Sequence, residues 1–216
     1  MAHFITFEGI EGSGKTTQIA MVAEFLRRQG HDVLTTREPG GCPIADAIRE
    51  ILLHPANDAL VDRAELLLYA AARAQHVAEI IQPALQAGRI VLCDRYTDAT
   101  LAYQGYGRGL DLDLIEGLNT LACADCRPNL TLLLDMPHEA GLQRALQRNS
   151  VENMTDEGRF EQESLDFHQR IREGYLTLAK NAPQRMRIID ATGNPGAVSE
   201  RLLACLLGYL APGTAP

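Results

Sequence analysis

Apolar positions along the chain follow two alternating rhythms. Short apolar or β-branched runs at residues 4–7, 32–36, 89–93, 129–134 and 187–190 read as strands, each closed by a turn or a charged residue. The runs Ile90-Val91-Leu92-Cys93 and Leu130-Thr131-Leu132-Leu133-Leu134 are almost continuously apolar, as strands covered on both faces of a parallel sheet are. Between the runs, helical periodicity marks residues 15–28, 44–53, 63–86, 111–122, 138–147, 162–181 and 197–210. This alternation predicts an α/β fold with right-handed crossovers and ligands at the carboxyl ends of the strands. No repeat or linker divides the pattern, so residues 1–210 read as one domain. Residues 149–158 are polar and weakly patterned and read as a mobile loop inside it. Residues 211–216 read as a frayed tail.

Composition narrows the function classes. At 216 residues, 46% hydrophobic and 22% charged, the chain is long enough for one sizeable core and too apolar to be disordered. A net charge of -8 repels nucleic acid and anionic membranes, so an anionic ligand needs local basic groups. Of the 20 basic residues, all but Lys15 and Lys180 are arginine. No apolar stretch nears the roughly 20 residues of a bilayer span, and the first residues lack a basic leader. The expectation is a cytoplasmic protein that binds neither nucleic acid nor membrane.

One motif carries chemistry outright. Gly9-Ile10-Glu11-Gly12-Ser13-Gly14-Lys15-Thr16 fits G-x-x-x-x-G-K-[ST] and lies between the first strand and the first helix. Its glycines let backbone N–H groups converge on phosphate oxygens at a helix N-terminus. Lys15 would reach the β- and γ-phosphates, the Thr16 hydroxyl would bind Mg²⁺, and Thr17 adjoins the same turn. A glycine-rich β-to-α turn with a chance lysine is the bland reading. The flanking strand and helix favour a nucleoside triphosphate site. Such sites also place a carboxylate near the metal at the end of a buried strand. Asp94 is the natural choice, with Asp135 competing.

Arginines recur past the strand ends. Arg37 follows the second strand, Arg95 the third, and Arg73 lies on a mostly apolar helix. Any one of these is more often a surface residue, but the two at the strand ends beside a P-loop favour a second phosphate-bearing substrate. Arg144 and Arg148 are spaced i,i+4 before the polar loop, and Arg159 follows it. They make either a solvated helix face or a lid, about 144–160, that brings positive charge onto a transferring phosphoryl group. The C-x-x-C at Cys123 and Cys126 lacks a second pair at zinc spacing and reads as two free thiols. A regulatory nucleotide switch is the competing class, but no guanine-reading Asn-Lys-x-Asp is present.

With the P-loop, Thr36-Arg37-Glu38-Pro39-Gly40-Gly41, Ala71-Ala72-Arg73, Asp94-Arg95-Tyr96, Ala102-Tyr103-Gln104-Gly105, Gly107-Arg108-Gly109 and Arg127-Pro128-Asn129-Leu130, the chain resembles bacterial thymidylate kinases from about residue 4 to 210. The resemblance implies a five-stranded parallel sheet, a homodimer, and MgATP-dependent phosphorylation of dTMP to dTDP. It implies that Glu8, Arg37, Arg73 and Arg95 surround dTMP, with Arg37 and Arg95 near its phosphate and Arg73 near the thymine edge. Tyr69 then stacks on the base, Thr100 and Gln104 contact it, and the Tyr103 ring crowds the sugar 2′ position. Since Ile10, Glu11, Gly12 and Ser13 include no arginine, the resemblance puts the catalytic arginine in the lid, at Arg148 with Arg144 and Arg159 in support. Other monophosphate kinases remain the nearest alternatives.

Overall fold

The computed structural model describes residues 2–147 in full, the backbone of 148–152, and residues 159–210. Five strands, β1 His3–Glu8, β2 Val33–Arg37, β3 Ile90–Asp94, β4 Leu130–Asp135 and β5 Met186–Asp190, form one parallel sheet in the order β2-β3-β1-β4-β5. The three central strands are buried along nearly their whole length, which is why they read as unbroken apolar runs. The edge strands β2 and β5 alternate buried and open positions instead. Side chains of β1 divide between the faces, with Ile5 and Phe7 in the main core and Phe4 in a second cluster with Val77, Ile81, Val91 and Tyr96.

Helices cover both faces: α1 Lys15–Arg28, α2 Pro43–Leu53, α3 Asp62–His76, α4 Gln82–Gln86, α5 Thr97–Thr100, α6 Leu112–Cys123, α7 His138–Glu152, α8 Leu165–Asn181 and α9 Pro195–Leu210. Their starts obey capping chemistry. Asp111 accepts a hydrogen bond from Leu114 N–H at the head of α6, Ser164 from Phe167 N–H at α8, and Asn194 from Ala197 N–H at α9. The helix expected over 63–86 is continuous but passes through a π-helical segment, Val77–Ile81, between α3 and α4. The loop expected from residue 149 starts later, because α7 runs on to Glu152; the rest of that loop, and the tail from 211, lie outside the described residues.

The sequence pattern missed one element, α5 with the π-helical segment Leu101–Gly107 that continues it. Residues 101–105 are all buried, so no polar face betrays the period, and two glycines depress helix propensity. Those glycines serve packing: a Cβ on Gly105 would lie 2.4 Å from the Leu112 side chain, and one on Gly107 would lie 2.8 Å from Phe167. The segment matters because it carries Tyr103 and Gln104. Register then sets the site. Phe7 and Arg37 both pair with Asp94, so β2 and β3 end level, β1 runs one residue further to Glu8, and Glu8, Arg37 and Asp94 come to the same carboxyl end of the sheet.

Candidate active site

The loop from Gly9 to Gly14 turns β1 into α1. Gly14 is the N-cap, in the left-handed region at φ 89°, and has no side chain to occupy the first-turn N–H groups. Those donors and the helix dipole face the opening. Gly12, also left-handed at φ 69°, is held where a Cβ would lie 2.0 Å from the Gly141 carbonyl oxygen of α7. Lys15 folds over the loop and donates to Gly9 O at 3.0 Å, Ile10 O at 2.9 Å and Ser13 Oγ at 3.4 Å. Burial, with Arg95 close by, pushes its ammonium down to about 8. Thr16 Oγ1 donates to Asp94 Oδ2 at 3.0 Å. Two hard oxygen donors side by side, next to a phosphate-binding turn, suit Mg²⁺. Asp135 is differently employed: Arg172 grips both its oxygens, at 2.8 and 3.0 Å.

A cleft of about 860 Å³ opens beside the loop, and Lys15, Thr16, Thr17, Arg37, Asp94 and Arg95 all line it. So do Tyr69, Arg73, Thr100, Tyr103 and Gln104. Arg37 stands exposed, its nearest acid Asp46 at 3.7 Å. Arg95 occupies the left-handed region at φ 66°, held there while its N–H donates to Phe7 O at 2.9 Å. Its guanidinium lies 4.7 Å over the Tyr103 ring and donates to Glu11 Oε1 at 3.1 Å and Tyr175 Oη at 3.3 Å. Tyr103 donates to the same Glu11 oxygen at 2.5 Å. Burial alone would raise the Glu11 carboxyl; Arg95, His168 and Tyr103 outweigh it and hold it well below the usual range.

Arg73 is sunk beneath the cleft. It donates to Glu38 Oε2 at 2.7 Å, Asn119 Oδ1 at 2.6 Å, Tyr96 O at 3.1 Å and Thr100 Oγ1 at 2.8 Å, which leaves one of its five N–H groups, on Nη1, without a partner among the described residues. Gln104 donates to Glu65 Oε1 at 2.8 Å.

Glu8 lies behind the cleft wall. Its carboxylate accepts from Tyr96 N–H at 2.8 Å and Tyr175 O–H at 2.7 Å. Burial, reinforced by Asp98, raises it from 4.5 to about 8. Between those values the folded chain holds a proton that the unfolded chain has lost, so stability falls as pH rises through the window. Replacing Glu8 by Gln removes the term. The stability of the Gln variant relative to wild type should rise by about 1.4 kcal/mol per pH unit between pH 5 and 8. Urea denaturation at several pH values reads it, and a flat difference would contradict the buried, protonated carboxyl.

A second pocket of about 370 Å³ lies across the loop, bounded by Ser13, Gln18, Arg144, Gly193 and Pro195. The three lid arginines thus part company. Arg144 borders this pocket, the Arg148 side chain lies outside the described residues, and Arg159 is buried against Glu65 Oε2 at 2.5 Å and Leu52 O at 2.6 Å. The five cysteines are free thiols, and no trio of His, Cys, Asp or Glu among the described residues could hold a metal. The sequence pattern does not single out Glu38, Glu65, Asn119 or Tyr175 as site residues. Glu38 sits inside a quoted motif, whereas the others carry no local signal and acquire roles only through contacts distant in sequence.

Comparison with known proteins is uniform. The family model for thymidylate kinase matches residues 7–202. A thymidylate kinase of Syntrophotalea carbinolica is 64% identical over 202 residues, covering 94% of each chain. One from Trichlorobacter lovleyi is 59% identical over 208 residues, covering 96% of this chain and 98% of that one. The crystal structure of thymidylate kinase from Ehrlichia chaffeensis superposes with a TM-score of 0.76 at 34% identity, over 95% of this chain and 98% of its own. Among the described residues no helix is long and apolar enough to cross a membrane. Matched in sequence and in fold along nearly its whole length, the chain belongs to the thymidylate kinase family.

Proposed function

We propose that the chain transfers the γ-phosphoryl group of ATP to dTMP, giving ADP and dTDP, in a cytoplasmic setting. The observation that carries this reading is the shared opening: Lys15, Thr16 and Asp94 line the same cleft as Arg37, Arg95, Tyr69, Arg73, Thr100 and Gln104. ATP phosphates lie on the loop from Gly9 to Thr17, with the adenosine end in the pocket beyond Ser13 and Gln18. Thr16 and Asp94 would hold Mg²⁺, which when bound neutralises charge on the bridging phosphates.

The acceptor needs no base, because the dTMP phosphate reaches the site already ionised. One of its oxygens bonds to the γ-phosphorus as the bond to the β–γ bridging oxygen breaks, and ADP leaves. Arg37 and Arg95 hold the attacking phosphate in line, and positioning of this kind is most of the catalysis in phosphoryl transfer. Lys15 exchanges the Gly9 and Ile10 carbonyls for phosphate oxygens and meets the charge that builds between them. Tyr69 stacks on thymine, Arg73 offers its remaining N–H to the base, and the Tyr103 ring under Arg95 fills the space beside the sugar 2′ carbon. A coupled ADP assay with MgATP and a panel of monophosphates should show dTMP preferred over dGMP and dCMP. ADP release led by either of those would reject the assignment.

The segment of about 144–160 is proposed as the lid, with Arg148 completing the transition-state charge. Arg148→Met is expected to lower kcat by about 10³ or more, the range for arginines in this role, with the KM for dTMP changed only severalfold. The opposite split would make Arg148 a binding residue. Arg144 would then take its place, because Arg159 is committed to Glu65.

A homodimer is proposed on the outer faces of α3 and α6, which Arg73 and Asn119 tie together. Leu67 on α3 and Leu114 and Leu121 on α6 are 52%, 50% and 80% exposed, and Ala71 and Ala74 of α3 are exposed as well. Sedimentation should give twice the chain mass, and Leu121→Glu should shift it toward the monomer.

A further inference from the structure

Glu65 takes no part in the chemistry above, yet it gathers four hydrogen bonds in the core beside the cleft. It is fully buried on α3. Oε1 accepts from Gln104 Nε2 at 2.8 Å and Arg108 Nε at 3.4 Å; Oε2 accepts from Arg159 Nη2 at 2.5 Å and Arg108 Nη2 at 3.3 Å. Gln104, 1% exposed, reaches this carboxylate from the π-helical segment while lining the cleft.

An amide side chain has a donor end and an acceptor end, and turning it over about its last bond exchanges them. The two guanidiniums supply donors only, so the carboxylate they hold has nothing but acceptor oxygens to offer Gln104. Only the amino end of Gln104 can satisfy Glu65. Its carbonyl end is thereby left for the cleft, and no hydrogen bond to that oxygen exists among the described residues.

We propose that Glu65 is a positioning residue for base recognition: by fixing the Gln104 amide with its carbonyl toward the cleft, it selects a base that presents an N–H there. The N3–H of a 4-keto pyrimidine meets that carbonyl. Cytosine presents an acceptor at N3 and would leave two acceptors facing each other in a buried site, the kind of mismatch that discriminates most strongly. The inference rests on the reading of Gln104 as a base contact and adds what orients it.

The test compares kcat/KM for dTMP and dCMP in the wild type, Glu65→Gln and Gln104→Leu. A Gln at position 65 can donate as well as accept, which frees the Gln104 amide to turn over. The dTMP-to-dCMP ratio should then fall by about tenfold or more, with kcat for dTMP within severalfold of wild type. A merely structural role would lower both substrates alike. An unchanged ratio in Glu65→Gln, with a collapsed ratio in Gln104→Leu, overturns the role of Glu65 and leaves the base reading standing. An unchanged ratio in Gln104→Leu removes Gln104 from base recognition and the proposal with it. Should Glu65→Gln fail to fold, hydrogen exchange of the Gln104 side-chain amide in the wild type decides, its signals assigned by their loss in Gln104→Leu. Protected amide protons support the anchor to Glu65, and exchange at the rate of a free amide overturns it.

Discussion

Lys15→Ala is expected to reduce kcat/KM for phosphoryl transfer by at least about 10³, with far-UV circular dichroism unchanged. The loss follows from position. Nζ lies within 3.0 Å of the Gly9 and Ile10 carbonyls, over the turn proposed to hold the phosphates, and removing one preorganised donor to developing charge costs about 10²–10³ before any loss of binding is counted. Among the described residues, the other cations lining this cleft are Arg37, Arg49, Arg73 and Arg95; Arg37 and Arg95 are assigned above to the second phosphate, and Arg73 is committed to Glu38. The fold should survive. Alanine is the best helix former at the head of α1, and a buried ammonium pushed down to about 8 is held in the folded state at a cost. Between pH 8 and 10.5 the unfolded chain keeps the Lys15 proton that the folded chain has lost, so that cost shrinks as pH rises. Lys15→Arg should stay severely impaired despite keeping the charge, because a planar fork does not replace a point donor in this turn. Activity of Lys15→Ala within about tenfold of wild type would mean that the loop is not where the γ-phosphoryl sits.

Arg73→Met is expected to have the largest effect on stability. Arg73 and Glu38 are 2% and 3% exposed and 2.7 Å apart, and among the described residues Glu38 Oε1 is held by His76 Nδ1 alone, at 3.0 Å. Breaking a buried pair by removing one member typically costs about 3–5 kcal/mol, because the other charge stays buried. For a chain of this size that is a fall in Tm of roughly 6–20 °C. Asn119, Thr100 and the Tyr96 carbonyl lose their donor as well, and Thr100 lines the cleft. Adding Glu38→Gln should recover part of the loss by removing the stranded carboxylate, although Glu38→Gln alone destabilises. Urea denaturation of the two single variants and the double variant gives the coupling directly. A loss below about 1 kcal/mol in Arg73→Met would show that the pair is hydrated and that the cleft is looser than its geometry.

The sequence made legible what is encoded locally. The buried strands, the glycine-rich turn and the first helix all follow from patterns spanning fewer than about 20 residues. The acceptor side came through resemblance, since nothing near Tyr69 or Gln104 states that a base lies there. What stayed hidden has two physical sources. The segment carrying Tyr103 and Gln104 is buried all round and wound as a π-helix, so neither period shows in its residues. The ion pairs behind the cleft join residues distant in sequence: Glu38 to Arg73, and Glu65 to Arg108 and Arg159. Arginine 159 illustrates the point. Its sequence position beside the polar loop suggests a lid cation, while its contacts place it in the wall behind Gln104.

Transfer of label from ATP carrying ³²P at the γ position tests the central claim most directly. The purified chain incubated with Mg²⁺, labelled ATP and dTMP should place the label in dTDP, with none accumulating as inorganic phosphate and with transfer slowed by at least about 10³ when Lys15 is replaced by Ala. Label appearing only in inorganic phosphate, or passing to dGMP or dCMP in preference to dTMP, would contradict it.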